Sequence, residues 1–412
     1  MSAEWLLLAL LGCGRTPGDT PPAPVAAKTH VMVVVIDTLR ADAVARAHTP
    51  HLDALAASGD AVERAWAPGT WTIPSVISLF SGMPVRQHGW NGSPGLAQNF
   101  PKIGRMPLLA EVLSAHGFHA TGLYANAFIA GDIGFSRGFD EYKPISDATA
   151  VREVRRRIAQ WSDAERQFLY VHLLGPHSPL NPSPESRAKY NLEDRWFEAP
   201  HGFLIGAAKR NREEGVRAAY EAAYLAVVED TDARVGELMA LLGDHRDDTL
   251  VIVTSDHGEL IDDHGFCGHG HWVWEELTHV PFIADGAGPL PSTWTTAALP
   301  DLVTSTVGIS HTWPVSRQDS LPLVSEREGK VAVSHDGRFK GIYDGDLRVY
   351  DLVDDVREAT PLSGHDTAIQ HAYQAWQDRF PPGTLGDDAV TLHPETLEAL
   401  RSLGYLDDEA AP

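Results

Sequence analysis

Cysteine is almost missing from this chain. Cys13 and Cys267 are the only two among 412 residues, so no disulfide framework holds the fold. Positive charge is short as well. Lys and Arg total 33 against 56 Asp and Glu, a formal net charge of −23. A field of that sign repels nucleic acid and anionic membrane surfaces. It also repels anionic esters, so such a molecule needs a local cationic spot, which a metal ion supplies. Long apolar runs are absent too. The stretch at residues 5–11 is too short to span a membrane. Internal repeats and long low-complexity tracts do not occur. What remains is an ordinary globular composition, 43% hydrophobic and 22% charged. It is enough for one large α/β domain with an appended subdomain, or for two domains.

The N-terminus carries its own signal. Residues 5–13 read WLLLALLGC, an apolar run closed by Leu-Leu-Gly-Cys. It resembles a lipoprotein-type signal over 1–13 that leaves a lipid anchor on Cys13. A Pro-rich tether over 14–28 follows. This reading places the protein on the outer side of a cell membrane, as an anchored lipoprotein. Glu4 and the lack of Lys or Arg before the apolar run fit the alternative, a cytoplasmic chain.

The folded part begins near Thr29. Val31-Met32-Val33-Val34-Val35-Ile36 is an apolar, β-branched run, the pattern of a parallel strand covered on both faces. Further strands are predicted over 119–124, 167–174, 250–254 and 280–284. Helices are predicted over 52–58, 74–81, 108–116, 151–161 and 213–242, and 175–212 reads as loop. This alternation predicts a mostly parallel sheet with helices on both faces over 29–310. The subdomain 311–412 reads differently. Short strands over 331–334, 339–343 and 347–352 form an antiparallel meander, and helices are expected near 371–380 and 394–403.

Chemistry gathers at the strand ends. Asp37 ends the first buried strand, where open α/β sheets bind ligands. Thr254-Ser255-Asp256-His257-Gly258-Glu259 ends another in the same way, offering oxygen and nitrogen donors to a divalent metal. Between them lies Trp71-Thr72-Ile73-Pro74-Ser75-Val76, with Gly82 past the end of a short helix. Thr72 stands at the N-terminus of that helix, where backbone N–H groups and the dipole favour an anion.

In order along the chain come Asp37, Thr49-Pro50-His51-Leu52-Asp53, the Thr72 helix, His88-Gly89, Pro176-His177-Ser178-Pro179, Ser255-Asp256-His257-Gly258-Glu259, Gly268-His269-Gly270-His271 and Tyr350-Asp351-Leu352. The tail over 400–406 completes the series. This order resembles the sulfatase branch of the alkaline phosphatase superfamily. The resemblance implies an alkaline-phosphatase-like α/β fold with a small C-terminal antiparallel sheet and helix. It implies one divalent metal ion, with Mn, Mg, Ca and Zn all open, held by Asp37, Thr72, Asp256 and His257. Thr72 becomes the nucleophile. His177 holds an ester oxygen, and His88 is a further substrate-binding candidate. Either His269 or His271 is the acid for the leaving group.

Four departures shape the expected chemistry. Sulfatases convert a Cys or Ser at the Thr72 position to formylglycine, and Thr cannot become that aldehyde because its Cβ carries a methyl group. Thr38 stands where the family has a second Asp, Gly175 where it has the Asp of its Asp-Pro-His motif, and Val76 where an Arg supports formylglycine. The expectation is a metal-dependent hydrolase cleaving a phosphate mono- or diester through a covalent Thr72 intermediate, or transferring that phosphoryl group. The alternatives are a sulfuric ester hydrolase working without formylglycine and a catalytically degenerate binding protein. An anionic ester is the expected partner and nucleic acid is not. Oligomeric state is not written in the sequence.

Overall fold

The computed structural model describes residues 28–92, 100–162, 164–197, 203, 215–319, 322–384 and 389–402. The apolar start, Cys13, almost all of the Pro-rich tract and the tail from Leu403 onward lie outside the described residues. No helix among the described residues is long and apolar enough to cross a membrane.

Seven of the described strands form the central sheet. Their order is Asp60–Ala61, Phe282–Asp285, Thr249–Ser255, His30–Ile36, Arg166–Leu173, Phe118–Tyr124 and Glu141–Pro144. His30–Ile36 pairs in parallel with both of its neighbours, with Ile36 level with Leu173 on one side and Ser255 on the other. Phe282–Asp285 runs antiparallel to the strands beside it. The His30–Ile36 run is apolar throughout because both faces are covered. Val31, Val33 and Val35 enter one buried cluster with the helix Thr72–Ser81, while Met32, Val34 and Ile36 enter another with the long helix Val216–Leu241.

The predicted α/β alternation is observed, with local corrections. The expected strand 280–284 is broken at Pro281, which has no N–H for a ladder. His279–Val280 pairs instead with Arg64–Trp66, and Phe282–Asp285 joins the main sheet. The loop-rich region holds a helix, Pro184–Lys189, with Pro184 at its first position and the Ser183 hydroxyl accepting from the Ser186 N–H. The meander has a fourth strand ahead of the three expected. Leu323–Arg327, Lys330–Ser334, Phe339–Tyr343 and Leu347–Asp351 pair in sequence, all antiparallel. The helix after them, Asp366–Arg379, starts earlier than its pattern indicates.

A buried cation ties this small sheet to the main body. Lys340 is fully buried on the strand Phe339–Tyr343. Its ammonium lies 3.1 Å from Glu275 and 2.9 Å from Glu358. His264, Glu276 and Glu358 also converge there. Lys340 already supplies the positive charge those carboxylates need, so the cluster reads as an internal ion-pair network.

Candidate active site

Four adjacent strands of the sheet, Thr249–Ser255, His30–Ile36, Arg166–Leu173 and Phe118–Tyr124, present polar side chains at their carboxyl ends. They contribute Asp256 and His257, Asp37, His172 and Asn126 respectively. The register brings Asp37 and Asp256 side by side, since each follows directly on one of the paired residues Ile36 and Ser255. The helix Thr72–Ser81 lies on one face of the sheet and aims its first residue at them. All ten of its residues are buried, and Gly82 ends it in the left-handed region at φ 66°.

Asp37, Asp256 and His257 offer ligand atoms within 4.8 Å of one another. The His257 Nδ1 is 2.8 Å from the Gly258 carbonyl. A carbonyl only accepts, so Nδ1 carries the proton and Nε2 keeps its lone pair. Burial pushes the imidazole down to about 4, so the ring is neutral. Nε2 then faces Asp37 Oδ1 at 3.6 Å, Asp256 Oδ2 at 3.5 Å and Thr72 Oγ1 at 3.5 Å. Those two carboxylate oxygens are buried without a hydrogen-bond partner among the described residues. Two carboxylate oxygens and an imidazole lone pair converging on one point, with a hydroxyl beside them, are a donor set that suits a divalent cation.

The remaining atoms of these residues are held by the protein. Asp256 Oδ1 accepts from the backbone N–H of His257 at 2.9 Å and of Thr38 at 3.3 Å. Burial opposes the ionisation of Asp256, but the neighbouring His257 and His172 overcome it and hold the carboxyl at about 2. Burial and then the charge of Asp256 push Asp37 well above the usual carboxylate range. Asn126 was not read from the sequence. Its Oδ1 accepts from the Phe128 N–H at 2.9 Å, which fixes the amide. Its Nδ2 donates to Asp37 Oδ2 at 2.6 Å and to Thr72 Oγ1 at 3.1 Å. Asn126 therefore orients the hydroxyl of Thr72 beside the candidate ligands.

His177 and His269 join this group. Their ring centroids are 5.1 Å apart, and His269 is 4.6 Å from His257. Burial first, then the nearby His269, pushes His177 down to about 3. Burial opposes the protonation of His269, but Glu259 raises its pKa above the ordinary value. The buried Glu259 Oε1 lies 3.1 Å from His269 Nδ1. His271 is exposed, so of the two histidines left open in the sequence the structure brings His269 into the cluster.

His88 takes a different place from the one expected. It is buried, its Nδ1 accepts from the Trp90 N–H at 3.1 Å, and its Nε2 is 3.2 Å from Ser78 Oγ. With both nitrogens engaged it clamps the Thr72 helix to the following turn, and the expected substrate contact is corrected to this structural one. Arg40 is a second missed clamp. It pairs with Asp42 and Asp263 and donates to the Glu259 carbonyl, tying the loop after Asp37 to the loop after His257.

The departures from the family pattern also have physical reasons. Thr38 sits at φ 57°, a strained conformation for a β-branched residue. Its N–H and carbonyl are used by Asp256 and by the Tyr224 hydroxyl. Val76 is buried in the core. Gly175 has φ 52°, and a Cβ there would lie 2.6 Å from Ile36 Cγ2. Restoring the family's acid as Gly175→Asp is thus expected to destabilise the fold by about 2–4 kcal/mol, from left-handed strain plus overpacking. Denaturant unfolding of the variant measures this, and a loss below about 0.5 kcal/mol, the range of a neutral surface substitution, would contradict it. Gly258 is held to glycine just as firmly, since its Cβ would meet the Glu276 carbonyl oxygen at 1.9 Å.

This fold and this site define an ester-bond hydrolase of the alkaline phosphatase superfamily. The chain belongs to the sulfatase family, whose model, described as Sulfatase, matches residues 29–308. It is 22% identical over 341 residues to an arylsulfatase of Clostridium perfringens, spanning 64% of this chain and 69% of that one. Among solved structures, the phosphonate monoester hydrolase of Agrobacterium radiobacter superposes with a TM-score of 0.67 at 16% identity, over 85% of this chain and 95% of that one. A protein solved with its substrate D-glucosamine-2-N,6-O-disulfate superposes with a TM-score of 0.68 at 14% identity, over 86% and 98%. At those identities the superpositions speak for the fold.

Proposed function

We propose that this protein hydrolyses phosphate mono- or diesters through a covalent Thr72 intermediate. One observation carries the reading. A residue that cannot become formylglycine holds the nucleophile position, with its hydroxyl 3.5 Å from His257 and 3.1 Å from Asn126. A divalent cation held by Asp37, Asp256 and His257, when bound, lowers the pKa of the Thr72 hydroxyl and draws charge from a non-bridging oxygen of the ester.

The residues then have separate tasks. Thr72 Oγ1, its proton given up to solvent, attacks phosphorus in line, and the bond from phosphorus to the leaving oxygen breaks. His269, with Nδ1 turned to Glu259, presents Nε2–H to that oxygen and protonates it. Asn126 holds Thr72 at the attacking position. The buried neutral His177 spends its Nδ1–H on the Ser178 carbonyl, which leaves Nε2 an acceptor that cannot donate to an anionic oxygen of the transferred group. Water next attacks phosphorus, the Thr72 oxygen leaves and takes a proton, and a phosphate or its monoester is released. Positioning and charge stabilisation supply most of the rate.

Phosphate is favoured over sulfate by the exit step. A formylglycine hydrate expels sulfate by re-forming its aldehyde, with no attack on sulfur. A sulfated Thr72 has no second hydroxyl on Cβ and would accumulate. The test compares steady-state turnover of an aryl phosphodiester, an aryl phosphate and an aryl sulfate. Turnover of the sulfate alone rejects the proposal, and no turnover of any ester favours a binding role.

The role of His269 is checked by leaving-group dependence. For His269→Gln, turnover of an alkyl-leaving diester is expected to fall about 10²–10⁴-fold. A 4-nitrophenyl leaving group, which needs no proton, is expected to lose far less. Equal losses for both would assign His269 to binding instead. His271→Ala, at an exposed position, is expected to show neither effect.

A further inference from the structure

One buried cation beside the site has no task in that mechanism. Arg327 ends the strand Leu323–Arg327 of the small sheet, and its side chain is only 4% exposed. Its Nε donates to the Gly270 carbonyl and its Nη1 to the Asn91 carbonyl. The guanidinium carbon lies 5.6 Å from the centre of the Trp71 ring. Nη2 is 3.3 Å from the exposed carboxylate of Glu328. Burying a charged group costs more than burying a neutral donor. A neutral side chain would pin one carbonyl at less cost, so the two carbonyls held here need an explanation.

Gly270 follows directly on His269 and is held from both sides. Its N–H donates to the Thr70 carbonyl at 2.8 Å, and its own carbonyl accepts from Arg327. A Cβ on Gly270 would lie 3.4 Å from the Trp71 Cβ. The loop of His269 therefore lies against Thr70 and Trp71, the two residues that precede Thr72. The strand of Arg327 runs beside the same segment, since the Glu326 N–H donates to the Pro68 carbonyl at 2.9 Å. Glu259, 3.1 Å from Nδ1, orients the His269 ring. Arg327 and Thr70 fix the backbone next to that ring. A guanidinium carries its donors in one rigid plane, so a single side chain holds two carbonyls at once.

We propose that Arg327 is a positioning residue for the acid His269, setting through the Gly270 carbonyl its reach to the oxygen that leaves phosphorus. The proposal rests on the role given to His269 above and adds to it a task for the small sheet, which supplies this arginine. Proton transfer needs the acid within hydrogen-bond reach of the leaving oxygen. A shifted loop therefore slows departure of a poor leaving group and spares one that leaves without a proton. The competing use of Arg327 is to fasten the small sheet to the main body with no bearing on the acid.

The test measures kcat of the full chain on an alkyl-leaving and a 4-nitrophenyl-leaving phosphodiester. Arg327→Met removes both hydrogen bonds. Arg327→Lys keeps the charge and the stem but cannot span two carbonyls. Turnover of the alkyl ester is expected to fall about 10²-fold in Arg327→Met and about 10-fold in Arg327→Lys, with the 4-nitrophenyl ester within about threefold of wild type in both. Added to His269→Gln, Arg327→Lys is expected to cost less than about twofold on the alkyl ester, because no acid is left to position. Equal losses on the two esters overturn the proposal, as does a full further loss in the His269→Gln background or an unchanged alkyl turnover in Arg327→Lys. The lysine variant decides if Arg327→Met does not fold. A wild type inactive on both esters rejects the proposed function as well, so the two failures are told apart.

Discussion

Thr72→Ala is expected to lower phosphodiester turnover by at least about 10³-fold, because removing a covalent nucleophile leaves only binding and charge stabilisation. The variant should fold normally. Thr72 is the first residue of its helix, and among the described residues its hydroxyl contacts only Asn126 at 3.1 Å and His257 at 3.5 Å. Thr72→Ser keeps the hydroxyl and loses only a methyl, so much of the activity should survive. The paired measurement is steady-state turnover together with intact mass after rapid quench. A phosphoryl adduct on the wild type that is missing from Thr72→Ala completes the argument. Full activity in Thr72→Ala would remove the covalent mechanism and, with it, the reason for favouring phosphate.

Chelation and Asp256→Asn are expected to act on the same centre with opposite consequences for stability. Asp256 is fully buried, and its Oδ2 faces His257 Nε2 at 3.5 Å without a hydrogen bond. Losing a charged ligand should empty the site and reduce turnover by about 10³-fold or more, comparable to the loss of charge stabilisation at a reacting centre. Chelation of the wild type should do the same and also lower the melting temperature. A ligand present at 100 times its dissociation constant stabilises by about 2.7 kcal/mol. Without metal, Asp37 and Asp256 face each other unscreened. The metal-free Asp256→Asn variant should therefore melt at or above the metal-free wild type while remaining inactive.

Asp37 contributes to the pH dependence alongside Glu326 and Glu358, whose carboxyls burial also raises, to about 7, and the comparison with Asp256→Asn isolates its share. Burial and Asp256 raise its carboxyl above the ordinary value. A raised acid stabilises the fold below its unfolded pKa, and that contribution disappears as pH rises through the folded pKa. The metal-free wild type should thus lose stability on going up in pH through that range, and Asp256→Asn should show a shallower loss. A metal-free wild type more stable than Asp256→Asn across the whole range would mean that these carboxylates are not a repulsive pair.

Much of this site is written in local sequence. The apolar run before Asp37 and the one before Asp256 each end in ligand-type residues, and a strand that is apolar on both faces can only be a covered parallel strand. Thr72 is legible because Pro74 and Gly82 bracket a short helix. Asn126 gave a weaker signal, a polar residue two positions past the end of the strand Phe118–Tyr124. Its strand is less uniformly apolar than the two that end in acids, so the strand end stands out less. His172 hid inside a strand read as core. His88 and His177 are both histidines in turn-rich segments, and nothing local separates a helix clamp from a candidate contact.

By itself the sequence determined the α/β class, the family order of the motifs and the threonine, unable to become formylglycine, at the position where the family keeps its nucleophile. These depend on residue identity and on periodicities a few residues long. Only the tertiary structure decided that His269 enters the site while His271 faces solvent, that Asn126 orients Thr72, that Gly175 has no room for an acid, and that Arg327 reaches the loop carrying His269. Those outcomes depend on strand order and register, which bring together residues as far apart as Asp37 and Asp256. Long-range pairing is set by the packing of the whole chain, and no short window of sequence contains it.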